Sequence, residues 1–156
     1  MPEANIITVD DGRNPFCLSG SRNLGVKQAQ ESGSNMIILS DADTVPERSS
    51  LLSAMGIANI EDRVVLPYTE YRSLRKDGTK QHLSGIRLDK CNFFTVAGAC
   101  SGVYVFRPET WWAHYGQDER FRGWGFELGS QHIPLYLVKH QREWMEKYMP
   151  SIMNLR

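Results

Sequence analysis

The chain has 156 residues, 41% hydrophobic and 23% charged, with Gly 13 and Pro 7, a makeup that fits one folded domain and excludes disordered, collagenous and coiled-coil chains. At this length roughly two-thirds of the unfolded surface can be buried, so a core needs no disulfide or metal staple. Eighteen Lys and Arg balance eighteen Asp and Glu, so no global field gathers nucleic acid or an anionic membrane, and a polyanionic ligand has to be held by a local site.

Cys17, Cys91 and Cys100 are odd in number and widely spaced, which suits neither a disulfide framework nor a zinc site and fits a reducing compartment. Met1 to Asp11 lacks a basic segment followed by an apolar core, and no apolar run approaches the length of a membrane span. The expectation is a cytoplasmic chain with no transmembrane segment, peripheral attachment to a membrane being left open.

In chain order, Asn5-Ile6-Ile7-Thr8-Val9 reads as a buried strand stopping at the turn Asp10-Asp11-Gly12. Ser21 to Ser32 reads as a helix, with Ser19 or Ser21 as its cap and Gly33 as its stop. Met36-Ile37-Ile38-Leu39 is a second apolar run of strand length, followed at once by Ser40-Asp41-Ala42-Asp43. Pro46 then opens a helix over Glu47 to Asn59, where Leu51, Leu52, Met55 and Ala58 share a face. Arg63 to Leu66 is a third strand candidate.

Tyr68 to Asp89 is polar, and Lys76-Asp77-Gly78 predicts a turn between flanks that pair as a hairpin. Phe93 to Val96 and Val103 to Phe106 read as strands around Gly98-Ala99-Cys100-Ser101-Gly102, a small-residue loop that either lets a backbone approach a ligand closely or is a plain turn. Pro108 to His114 reads as a short helix, and the stretch from Ile133 to Arg156 as an apolar run and then a helix. Alternation on this scale predicts an α/β domain with a mainly parallel sheet flanked by helices, whose ligands sit beyond the carboxyl ends of strands.

Both acidic clusters fall at such strand ends. Asp41-x-Asp43 offers two carboxylates on one side of an extended or turning backbone, an arrangement that holds a hard cation such as Mg²⁺ or Mn²⁺ beside phosphate. The plainer reading is a solvated turn with Asp43 as a helix cap.

Taken together, Val9-Asp10-Asp11-Gly12, Ser21-Arg22-Asn23-Leu24-Gly25 and Ile37-Ile38-Leu39-Ser40-Asp41-Ala42-Asp43 resemble, in order, the nucleotide-sugar half of a GT-A glycosyltransferase of the family 2 type. Gly102 to Arg107 and Gly116 to Glu127 resemble the acceptor-side segment of galactosyltransferase-like members. The resemblance spans roughly Ile6 to Glu127 of a single domain, residues 1–66 being the nucleotide-sugar and metal half and 67–156 the acceptor half.

It implies a nucleotide-sugar donor, an acceptor hydroxyl on a glycan or other molecule, and Mn²⁺ or Mg²⁺ as cofactor. Asp10 or Asp11 would contact base or ribose, Arg22 and Asn23 would line the nucleotide pocket, and Asp41 with Asp43 would hold the metal-diphosphate. Arg22 reads equally as a surface salt-bridge residue and Asn23 as an early helix residue. Trp124 between Gly123 and Gly125 suits stacking on a sugar face, or is a core tryptophan in a tight turn.

Glu127 matches one member of the acidic pair from which the family draws its general base; Leu128 stands where the second carboxylate would be. The strand and helix that precede the Asp-Asp-Gly segment in the family have no counterpart before Asn5, which implies a shortened nucleotide cradle. For the metal-ligand histidine often found downstream in the family, His132 and His140 are candidates.

Two other readings stand beside this one. Ile38 to Val45 also resembles the strand-end Asp-x-Asp of haloacid dehalogenase-type phosphatases, with Asp41 as nucleophile and Asp43 as acid-base, but no acidic pair follows at a later strand end. The other is a shortened GT-A-like domain that binds a nucleotide-sugar or a partner protein without turnover.

Overall fold

A computed structural model describes residues 4–14, 16–97, 102–117 and 119. Within them lie, in order, α1 (Leu18–Glu31), β1 (Ile37–Ser40), α2 (Arg48–Ile60), β2 (Glu70–Ser73), α3 (Arg75–Leu83), a 3-10 turn (Leu88–Lys90), β3 (Phe94–Ala97), β4 (Val103–Phe106) and α4 (Pro108–Ala113). The chain is therefore mixed α/β.

β4 is the centre of the main sheet. It runs antiparallel to β1, with Ile38 opposite Val105 and Ser40 opposite Val103. On its other side Val105 exchanges both backbone hydrogen bonds with Val65, at 2.8 and 2.9 Å. With neighbours on both sides and helices on both faces, all four β4 residues are buried. Strand side chains alternate between faces, so Tyr104 and Phe106 pack with Val26 and Ala29 of α1 and Trp111 of α4. Val105 points the other way, onto Ala54 and Ala58 of α2. Phe106 and Trp111 stack with ring centroids 4.8 Å apart. The result is a layer of α2, a sheet, and a layer of α1 with α4.

β2 and β3 form a separate antiparallel pair, Glu70 opposite Ala97 and Ser73 opposite Phe94. The mainly parallel sheet expected from the alternation is thus not what the described residues form, since both of their sheets are antiparallel. The reason lies in the first run. Ile6 is 88% exposed, and no strand occurs over Ile6 to Val9 among the described residues. That segment instead runs beside α1, where Val9 packs against Gly25, and the strand paired with β1 is the antiparallel β4.

Three further expectations are corrected. Arg63 to Leu66 contributes a single bridge at Val65 rather than a strand. Lys76-Asp77-Gly78 is helical, inside α3, and no hairpin turn forms there. Gly78 is tolerated mid-helix because the chain passes close by: a Cβ there would collide with the Asn92 carbonyl. Finally, α1 is capped by Cys17, whose thiol accepts from the Gly20 N–H at 3.3 Å, and Ser19 and Ser21 lie inside the helix. Thiols are outside the usual cap set of Ser, Thr, Asp and Asn, so composition pointed to the serines.

Candidate functional site

The α1 helix is the spine of the candidate site. Its buried residues include Ser21, Arg22 and Asn23, polar groups that only a set of partners can keep out of water.

Arg22 reaches the end of β1, where its Nη2 donates to Asp41 Oδ1 at 2.8 Å. The guanidinium is 5% exposed and the carboxylate 38%. The Arg22 guanidinium carbon also lies over the Tyr104 ring, 5.4 Å from its centre, so the β4 aromatic that fills the core also supports the cation. Arg22 Nη1 is buried without a hydrogen-bond partner among the described residues.

Asp41 is fixed by its backbone as well. Its N–H donates to the Gly102 carbonyl at 2.7 Å, extending the β1–β4 ladder by one step, and its carbonyl accepts from the Thr44 N–H at 3.2 Å. Gly102 has φ +111, and a Cβ there would sit 3.3 Å from Thr44, so both the backbone angle and the close turn call for glycine. Asp43 is exposed, and among the described residues no hydrogen bond or ion pair engages it.

The Asp10-Asp11-Gly12 segment meets α1 from the other side. Asp10 Oδ1 accepts from the Gly12 N–H at 2.9 Å, a local turn. The Asp11 N–H donates to Ser21 Oγ at 3.3 Å. The Asp11 side chain is 5% exposed, and its Oδ2 lies 3.3 Å from Arg13 Nε without hydrogen-bond geometry. Asp11 also closes over Gly20, where a Cβ would strike its carboxylate. Arg13 in turn pairs with Glu119. The hydrogen bond to Glu119, with the nearby Asp11 charge adding, raises the Arg13 guanidinium above its ordinary range.

Asn23 is engaged on every side. Its Oδ1 accepts from Trp111 Nε1 at 3.0 Å and from the Gln117 N–H at 2.9 Å. Its Nδ2 donates to the Gln117 carbonyl at 2.8 Å and to Glu119 Oε1 at 3.1 Å. An amide has two donors and two main acceptor positions, so this side chain is a clamp between α1 and the chain after α4.

The structure therefore brings Asp11, Arg22, Asn23, Asp41 and Gly102 around one helix, with Asp10 and Asp43 at its margins. Gly123, Trp124, Glu127, His132 and His140 lie outside the described residues. Arg13, Cys17 and Glu119 belong to the same network, although sequence reasoning named none of them as a site residue. The signal available for Arg13 was its place directly after the acidic turn, and for Glu119 its place in the Gly116 to Glu127 segment.

Among the described residues, no group of three or more His, Cys, Asp or Glu side chains is placed to hold a metal ion. Mg²⁺ commonly takes only one or two carboxylates together with waters and substrate phosphates. In the Asp41-Ala42-Asp43 segment Asp41 Oδ1 is engaged by Arg22 and Asp43 is exposed. No family model, curated protein or solved structure matches the chain, and among the described residues no helix is long and apolar enough to cross a membrane.

Proposed function

We propose that the chain is a GT-A-type glycosyltransferase, cytoplasmic, moving a sugar from a nucleotide-sugar donor to an acceptor hydroxyl. The observation that carries this reading is the convergence of its three ordered motifs. Ser21 holds the Asp11 backbone and Arg22 holds Asp41, so segments far apart in sequence meet on neighbouring residues of α1.

In this reading Asp41 and Asp43 hold Mn²⁺ or Mg²⁺, which supplies Lewis-acid stabilisation of the departing diphosphate. Arg22 orients Asp41, and its buried Nη1 has donor capacity left, among the described residues, for an anionic oxygen. Asp10 or Asp11 contacts the base or ribose. Gly102, Gly123 and Trp124 hold the acceptor, Glu127 takes its hydroxyl proton if the transfer inverts the anomeric centre, and His132 would join Asp41 and Asp43 as a metal ligand.

The test is isothermal titration of UDP, GDP, dTDP and CMP into the full chain, with Mn²⁺ and then with EDTA, followed by an assay of sugar release. Metal-dependent binding of one nucleotide with transfer supports the reading; no binding to any of them ends it. A second reading, a domain that binds the nucleotide-sugar without turnover, is favoured by one observation: Asp41 already gives an oxygen to Arg22. Metal-dependent binding with no sugar release to acceptor or water would select it.

A further inference from the structure

We propose that the outward face of α3 and the loop after it dock on an anionic lipid bilayer. This does not rest on the sugar-transfer reading.

The chain as a whole is neutral, but the charge is unevenly placed. Residues 70–90 carry Arg72, Arg75, Lys76, Lys80, Arg87 and Lys90 against Glu70, Asp77 and Asp89. Local pairing uses part of this set: Arg72 with Glu70, and Arg87 and Lys90 with Asp89. Lys76 and Lys80 are exposed, and neither has an acidic partner among the described residues.

The helix geometry places these two cations beside an apolar group. Positions i, i+4 and i+7 share one face of a helix, so Lys76, Lys80 and Leu83 form a single outward stripe. The opposite face is the packed one, where Gly78 is buried against the Asn92 carbonyl. Leu83 is 80% exposed, and the next two aliphatic residues, Ile86 and Leu88, are 40% and 43% exposed.

These side chains are held in water by an ordered loop rather than by a loose one. The Ile86 N–H donates to the Gln81 carbonyl at 3.1 Å and the Asn92 N–H to Gln81 Oε1 at 2.7 Å. The buried Cys91 thiol donates to the Ile86 and Arg87 carbonyls. The loop thus fills its interior with Cys91 and backbone, and turns three aliphatics outward beside cations.

That combination selects the partner. Nucleic acid phosphates would use the lysines and leave Leu83, Ile86 and Leu88 wet. A bilayer with anionic lipid takes both, since binding there grows with buried apolar area plus attraction of basic residues to the headgroups. Lysine ammonium groups would sit at lipid phosphates while the leucine and isoleucine methyls enter the headgroup boundary.

Cosedimentation of the full chain with vesicles tests this, using phosphatidylcholine alone and phosphatidylcholine mixed with phosphatidylserine. The chain is expected to pellet with the mixed vesicles and to remain in solution with the neutral ones. Replacing both cations (Lys76→Gln with Lys80→Gln) should weaken partitioning about 30-fold, and Leu83→Ser about tenfold. All three positions are exposed, so an unchanged melting curve will show that the fold persists. The proposal is overturned by no pelleting with mixed vesicles, by equal pelleting with neutral ones, or by variants that partition like the parent. Retention on heparin without vesicle binding also overturns it, in favour of a soluble polyanion.

Discussion

Arg22 and Asp41 form an ion pair of 2.8 Å in which the cation is 5% exposed and the anion 38%. The asymmetry decides which partner can be removed at lower cost. Asp41→Asn strands a buried guanidinium whose Nη1 already lacks a partner among the described residues, and a buried charge that loses its counter-ion is strongly penalised. With the carboxylate partly in water, the expected loss is about 2 kcal/mol of unfolding free energy, read from urea titrations. The double variant Arg22→Met with Asp41→Asn should recover part of it, because the uncompensated charge goes too. A double variant as unstable as the sum of the singles would show the two side chains to be uncoupled.

Asn23 predicts a larger loss from a neutral residue. Asn23→Ala leaves the Trp111 indole N–H, the Gln117 N–H and the Gln117 carbonyl without their partner, and unsatisfied buried polar groups cost about 1–3 kcal/mol each. An unfolding free energy lower by about 3 kcal/mol or more is expected, together with faster hydrogen exchange in α4. A change under 1 kcal/mol would mean that water replaces the amide and that Asn23 is not the clamp.

How much of this was legible in the sequence depends on the range of the interaction. β1, α2, β4 and α4 announce themselves through short apolar runs, Pro46 and Pro108, and the observed bounds fall within a residue or two of the expected ones. Strand pairing was not legible, because Ile37 to Ser40 looks the same whether its neighbour is parallel or antiparallel. The helix through Gly78 was hidden because a glycine there reads as a turn, whereas the close passage of the Asn92 carbonyl, which leaves no room for a Cβ, is a contact with a residue further along the chain. At the site, the strand-end position of Asp41 was readable from Met36 to Leu39. The pairing of Arg22 with Asp41, and the saturation of Asn23 by Trp111, Gln117 and Glu119, 88 to 96 positions away, are tertiary facts.

Asp89 gives a pH prediction that does not involve the site. The hydrogen bond from Arg87, with its charge and that of Lys90 adding, holds the Asp89 carboxyl below the ordinary aspartate range. A carboxyl depressed in the folded state contributes stability above the unfolded value and loses it as pH falls through the folded value. Carbon-13 titration of Asp89 should therefore show a low midpoint that moves up in Arg87→Gln. An unchanged midpoint would remove the pair as its cause. As the carboxyl protonates in acid, Arg87 and Lys90 lose their only described ion-pair partner, so the loop after α3 becomes more cationic at low pH.

Asp43 separates folding from function, because the two carboxylates of the Asp41-Ala42-Asp43 segment are structurally unequal. Asp41 is tied to Arg22, Gly102 and Thr44, whereas Asp43 is exposed with no hydrogen bond or ion pair among the described residues. Exposed side chains away from such features change stability by less than about 0.5 kcal/mol. Asp43→Asn should therefore melt like the parent chain. If the proposed sugar transfer is right, the same variant loses most of its metal-dependent nucleotide affinity, since a neutral amide is a poor ligand for a hard divalent cation. Titration of Mn²⁺ and nucleotide into the parent and the variant reads both quantities on material of equal stability. Full affinity in Asp43→Asn would mean that the exposed carboxylate holds no metal, and the donor half of the proposal would fall without any change in the fold.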